Sequence, residues 1–269
     1  MTTKFKNRTM NKWTELSIEY ANQRSYLDDL FQVYPTIPDG IREINNEIWD
    51  KVEIAFNRQN NIELIKQLCL LEKFPIKDSY IAFLKLDKSS IDRNPQTINR
   101  LAGTIYEMGL DKLWQKCTEP KETNTQIGPM FKRWIEKKSL GIEPVSAVDF
   151  LHTTDNAILK GGDAELNNFA KEHFDYEKEK GLDFIARFNG KYILGETKFI
   201  TAIGGNQNNS FTDVITTLTT PVKNATCIGI IDGIPWLIDK SKYYRQITET
   251  YKEYNIMSAL VLRNYLYQL

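Results

Sequence analysis

A mixed central β-sheet flanked by helices, preceded by a mainly helical N-terminal region, is the α/β (α+β) architecture this sequence predicts, on three observations. Two β-rich runs flank Asn189-Gly190. A continuous apolar run, Thr226 to Ile231, reads as a buried central strand. Residues up to 75 repeat apolar positions at helical spacing, as in Trp13, Leu16, Tyr20 and Ile41, Ile44, Ile48, Val52, Ala55.

The stretch from Gly181 to Ile200 organises the chain. Asn-Gly suits the two positive-φ positions of a type I′ turn, so the stretch is expected to fold as a tight antiparallel hairpin. A two-residue loop pairs Phe188 with Lys191, and counting outward sets Asp183 opposite Glu196 as a non-hydrogen-bonded pair on one face. Lys198 falls on that face too, opposite Gly181. The reverse face carries Phe184, Ala186, Phe188, Ile193, Gly195, Thr197 and Phe199 and belongs in a core.

Two opposed carboxylates repel, and at least one should take up a raised pKa unless a cation intervenes. Mg²⁺ is a hard ion that takes one or two carboxylates and completes its shell with water and phosphate oxygens. A neighbouring ammonium would hold a water or balance charge growing on phosphorus. The bland alternative is a surface hairpin with a Glu and a Lys on its wet side.

The composition is globular, 41% hydrophobic and 26% charged, with a formal net charge of +0 that gives no global sign of nucleic-acid binding. No apolar run approaches a membrane span and the start lacks an apolar signal core, so a cytoplasmic protein without membrane association is expected. Cys69, Cys117 and Cys227 lie far apart without Cys-X-X-Cys spacing and are expected to be buried thiols. With only His152 and His173, there is little material for a zinc site or a histidine triad.

Pro35, Pro38 and Asp39-Gly40 break the first helical pair. Asp78 to Gly109 reads as helix, turn, helix, the second capped by Asn94 with Pro95 at its first position. Its N-terminal end presents Arg93, Asn94, Gln96, Thr97 and Arg100, residue types that contact phosphates and base edges. A capped surface helix is the alternative. After a polar loop, a basic-aromatic helix carries Lys132, Arg133, Lys137 and Lys138, either a phosphate-positioning cluster or a solvated face.

Around Val145 to Leu151 the pattern suggests a linker or short strand, and Gly161-Gly162-Asp163 opens a helix with Leu166, Phe169, Ala170 and His173 as its buried stripe. Beyond the hairpin, Gly204 to Ser210 reads as an amide-rich loop leading into a helix from Phe211. Its Asn206 and Gln207 are candidates for bidentate base contacts, although loops also carry such residues for turn geometry alone. After Ile231 come an apolar run at Trp236 to Ile238, a helix around Lys242 to Tyr254 and a last strand from Ile256 to Leu262.

Asp183 followed by Glu196-Thr197-Lys198 on the next strand resembles the PD-(D/E)XK nuclease superfamily, with Leu182 where that motif usually has proline. The Gly-Leu-Asp-Phe and Gly-Glu-Thr-Lys-Phe-Ile segments and the glycine-asparagine loop behind them look like a type II restriction endonuclease. The resemblance implies a restriction-endonuclease-like catalytic core over residues 146–269 and a DNA-gripping helical region over residues 1–145. It implies catalysis by Asp183, Glu196 and Lys198, and Mg²⁺ held by Asp183, Glu196 and the Thr197 carbonyl. Glu165 would be the further acid that such enzymes often draw from the preceding helix, where acids also simply favour the helix dipole. Double-stranded DNA as substrate, 5′-phosphate and 3′-hydroxyl products, a homodimer and a companion DNA methyltransferase follow from the same resemblance. A structure-specific repair nuclease and a non-catalytic binding module are the rival readings.

Overall fold

The structure, a computed structural model, describes residues 10–35, 41–120, 127–179 and 182–269. The chain forms two compact units, one made of Met1–Thr36 with Thr123–Leu269, the other of Ile37–Glu122.

The smaller unit is helical: α1 and α2 belong to the larger one, and here lie α3 (Asn46–Asn57), α4 (Asn61–Leu68), α5 (Ile81–Leu86), α6 (Ser90–Arg93), α7 (Pro95–Met108) and α8 (Leu110–Thr118). Local chemistry sets its boundaries. The side chains of Asn45 and Asn60 accept from the Ile48 and Glu63 amides, capping α3 and α4. Pro95 occupies the first turn of α7, and Gly109, at φ +80°, separates α7 from α8. One core holds the unit together, with Leu64, Ile65 and Leu68 of α4 buried among Ile98, Leu101 and Ile105 of α7. Trp49 meets Trp114 edge-on at 4.7 Å.

In the larger unit a six-stranded mixed sheet runs in sequence order, β1 (Pro144–Val145), β2 (Ala157–Leu159), β3 (Phe184–Phe188), β4 (Lys191–Ile200), β5 (Ala225–Gly233) and β6 (Ile256–Met257). β2, β3 and β4 pair antiparallel; β1 joins β2, β5 joins β4 and β6 joins β5 in parallel. Around the sheet lie α1 (Lys12–Gln23), α2 (Tyr26–Val33), α9 (Ile127–Glu136), α10 (Ala147–His152), α11 (Asp163–Phe174), α12 (Asn206–Leu218), α13 (Lys242–Arg245) and α14 (Ala259–Tyr267). Among the described residues no helix is long and apolar enough to cross a membrane.

The hairpin forms with the expected turn: Asn189 and Gly190 take φ +50° and +74°, and Phe188 pairs with Lys191. Phe184, Ala186, Phe188 and Ile193 enter one core, as expected. The other face is also dry. Leu182, Ile185 and Leu194 pack with Leu166, Phe169 and Ala170 of α11, so β3 is buried along its whole length.

Residues 10–35, read from sequence as part of the N-terminal DNA-gripping region, build the core of the sheet-bearing unit. Trp13 packs edge-on against Tyr265 of α14 at 5.4 Å, and Tyr34 stacks on Phe199 of β4 at 5.3 Å. Beneath them Asp232, fully buried in β5, accepts from the Tyr26 and Tyr34 hydroxyls (2.9 and 3.1 Å), the Ser258 hydroxyl (2.5 Å) and the Ala259 amide (3.1 Å). One carboxylate thus ties α2, β5 and α14 together.

Several local expectations change. Val145 to Leu151 holds a two-residue strand and then α10, because the Ser146 hydroxyl accepts from the Asp149 amide. Likewise the last expected strand stops at Met257: Ser258 caps α14 through the Leu260 amide. Ile234–Trp236 is a 3₁₀ turn, and the helix expected from Lys242 runs from α13 into a π-helical turn, Gln246–Thr250. His173 is exposed, its ring lying 4.3 Å from that of Phe169. All three cysteines are buried free thiols.

Candidate active site

Asp183, Glu196 and Lys198 meet at the end of the β3–β4 hairpin. Lys198 Nζ donates to Glu196 Oε1 at 2.5 Å and stands 3.9 Å from Asp183 Oδ2. Asp183 and Glu196 are 8% and 1% exposed, so these charges interact with little water between them.

The route by which Asp183 arrives differs from the expected ladder. Strand pairing ends at Phe184↔Gly195, and Asp183 sits in a bend whose amide donates to the same Gly195 carbonyl at 3.1 Å. Two residues sharing one cross-strand partner is the geometry of a β-bulge, which re-aims a side chain. The Asp183 carboxylate consequently turns along the strand, and its Oδ2 accepts from the Thr197 amide at 2.8 Å. The expected position of Lys198 opposite Gly181 lies outside the described residues.

Burial raises the pKa of the Asp183 carboxyl, opposed by the Lys198 charge and the Thr197 amide. Lys198, mostly buried, faces the opposite competition: burial disfavours its charge, yet the Glu196 and Asp183 carboxylates raise its pKa and keep it an ammonium. Two buried carboxylates beside one ammonium offer the oxygen donors that a hard cation prefers. In a strand the N–H and C=O of one residue point to the same edge, so the Thr197 carbonyl faces the edge from which Asp183 approaches. Among the described residues no three Asp, Glu, His or Cys side chains group closely enough to cage a metal. Two carboxylates and a carbonyl remain sufficient for Mg²⁺, which keeps several of its waters.

A pocket of about 240 Å³ opens beside Asp183, lined also by Lys132, Gly161, Glu165, Ile158 and Leu166. Glu165 therefore stands on the same pocket as Asp183. One of its oxygens is committed, since Oε2 accepts from the Gly162 amide at 2.7 Å and caps α11. Lys132 donates to the Gly161 carbonyl at 3.1 Å and to Asp163 Oδ1 at 2.6 Å, while Arg133, next to it on α9, is exposed.

The remaining sequence candidates stand on other elements. Arg93, Asn94, Gln96, Thr97 and Arg100 belong to the helical unit. Arg93 pairs with Asp87 at 2.6 Å and Arg100 with Asp78 at 2.7 Å, both at the surface. Asn94 holds the N-cap position of α7 without capping it, because its side chain donates to the Ser90 carbonyl instead. Asn206 and Gln207 are helical rather than in a loop: the irregular stretch runs over residues 201–205 and ends on Gly204 and Gly205, both at positive φ, and α12 starts immediately after. Asn206 is exposed, and Gln207 Oε1 accepts from the Thr201 amide at 3.3 Å.

Three neighbours of the cluster went unnoticed in the sequence. Gly128 of α9 runs so close that a Cβ there would lie 3.4 Å from Asp183 Oδ1. Asp163 anchors Lys132, and the Asp213 carboxylate on α12 adds to the field that keeps Lys198 charged. Only Asp163 carried a local signal, as a second acid beside Glu165 in one helix turn.

The sequence model of the Tsp45I type II restriction enzyme family matches residues 11–269. No curated protein and no solved structure matches the chain.

Proposed function

Since the chain belongs to the Tsp45I type II restriction enzyme family, and is by that membership a type II restriction endonuclease acting on DNA, we propose that Asp183, Glu196 and Lys198 are its catalytic residues. The reaction is hydrolysis of a phosphodiester bond in double-stranded DNA at a specific short sequence, leaving a 5′-phosphate and a 3′-hydroxyl. The observation that carries this reading is the Lys198 ammonium bonded to Glu196 and 3.9 Å from Asp183, with both carboxylates buried.

Asp183, Glu196 and the Thr197 carbonyl would hold Mg²⁺, which when bound lowers the pKa of a coordinated water and polarises a phosphoryl oxygen. Lys198 orients the attacking water with an N–H not spent on Glu196, and balances the charge that grows on phosphorus. Fixing Asp183 Oδ2 against the Thr197 amide keeps the carboxylate from swinging toward the substrate. Glu165 is a further metal-ligand candidate through its oxygen that does not cap Gly162.

DNA contacts beyond the scissile phosphate are assigned to Asn206 and Gln207, to Arg133, and to Arg93, Asn94, Gln96, Thr97 and Arg100 of the helical unit, whereas Lys132, first read as such a contact, is held at Gly161 and Asp163. The ion pairs of Arg93 and Arg100 are exposed, so exchanging Asp87 or Asp78 for a phosphate costs little. A homodimer that cuts both strands, and a DNA methyltransferase that protects the host sites, complete the proposal.

Incubation with phage DNA and Mg²⁺ tests it: discrete bands are expected, lost in both Asp183→Ala and Lys198→Ala although each variant retains its fold. Full cleavage by either variant would refute the assignment, and structure-dependent nicking in place of discrete bands would point to a repair nuclease.

A further inference from the structure

The pocket beside Asp183 gathers oxygen groups that a second divalent ion would favour. Glu165, Asp183 and Gly161 line it, and Lys132, which lines it too, is bonded to the Asp163 carboxylate. An ammonium already fills the position. Lys132 reaches from α9, bonds both the Gly161 carbonyl (3.1 Å) and Asp163 Oδ1 (2.6 Å), and is only 23% exposed. Two acceptors on one nitrogen fix it more firmly than a surface lysine, and α9 is held in turn by Ile127, Met130, Phe131 and Ile135 in the sheet core.

From this arrangement we infer that Lys132 supplies the second positive charge of the site, so that each chain works with a single divalent ion. The inference rests on the metal role proposed for Asp183 and Glu196. Lys132 is a positioning residue here. By occupying the Gly161 carbonyl and the Asp163 carboxylate at the α11 start, it denies those oxygen groups to a second ion. Mg²⁺ needs only one or two carboxylates besides water, so the charge on Lys132, more than the number of acids nearby, decides whether a second ion enters.

Counting Mn²⁺ bound to the full-length chain by electron paramagnetic resonance tests this without reference to cleavage. One ion per chain is expected for the wild type and for Lys132→Arg, which keeps the charge. Two are expected for Lys132→Gln, which keeps an N–H donor for Gly161 and Asp163 and so preserves the fold, as a thermal melt would verify. Two ions on the wild type, or a single ion on Lys132→Gln, overturns the inference and leaves the catalytic assignment intact provided Asp183→Asn removes an ion. No ion on the wild type would overturn both.

Discussion

Asp232 offers the sharpest test of the reasoning about buried charge. Burial pushes its carboxyl from an ordinary 3.8 up to about 6, against the lowering effect of the Ser258, Ala259, Tyr26 and Tyr34 donors. The folded state therefore holds the proton more tightly than the unfolded state. The resulting stability is fully present below the unfolded value and is lost as pH rises through about 6. Linkage between those two values gives about 1.4 kcal/mol between pH 8 and pH 5, and about 3 kcal/mol over the whole range. Asp232→Asn removes the titration while keeping the shape. Its NH₂ can face Tyr26 and Ser258, whose hydroxyls rotate to accept, leaving the oxygen to the Ala259 amide. A pH-independent cost on the order of 1–3 kcal/mol is expected from that exchange. Urea unfolding of both proteins at pH 8 and pH 5 isolates the effect, because every other titrating group is common to the pair. The wild type should gain about 1.4 kcal/mol on the variant as pH falls. A gap that is unchanged, or that narrows on acidification, would show that the four donors outweigh desolvation and would refute the argument.

Glu165→Gln separates two roles of one side chain: the amide oxygen can still cap Gly162, so thermal stability should stay near the wild type, while plasmid cleavage drops at least tenfold if the lost charge served the metal. Unchanged cleavage would leave capping as its whole contribution. Gly233→Ala should destabilise by about 3 kcal/mol or more in chemical denaturation, since the residue sits at φ +94° and a Cβ would lie 2.2 Å from the Ile200 carbonyl oxygen. Arg93→Ala, removing an exposed ion pair, should change stability by less than about 1 kcal/mol. If the residue meets phosphate, the same change should reduce the salt slope of DNA binding by about one, as measured by fluorescence anisotropy across ionic strength.

Much of the site was legible because its positions are set locally. Asn189-Gly190 fixes a two-residue turn, and the turn fixes register by counting, so the approach of Asp183, Glu196 and Lys198 needs only twenty residues of sequence. The bulge at Asp183 was not legible, because it depends on the carboxylate finding the Thr197 amide once the strands are paired. Helix starts were misread where a single serine decides the outcome. Ser146 and Ser258 each follow strand-like residues, and only the capping bond reveals that the chain has turned helical.

The sequence by itself determined the hairpin, the central β5 strand, the α11 helix with its two acids, and the residue types of the candidate cluster, all through periodicity and turn chemistry acting over a few residues. Tertiary structure decided that α1 and α2 belong to the sheet-bearing unit, that Asp232 is the buried anchor of α2, and that Lys132 lines the pocket beside Asp183. Those outcomes join residues as far as 256 positions apart. Such contacts are selected by burial and by satisfying polar groups in the folded molecule, and neighbouring residues along the chain carry no record of that selection.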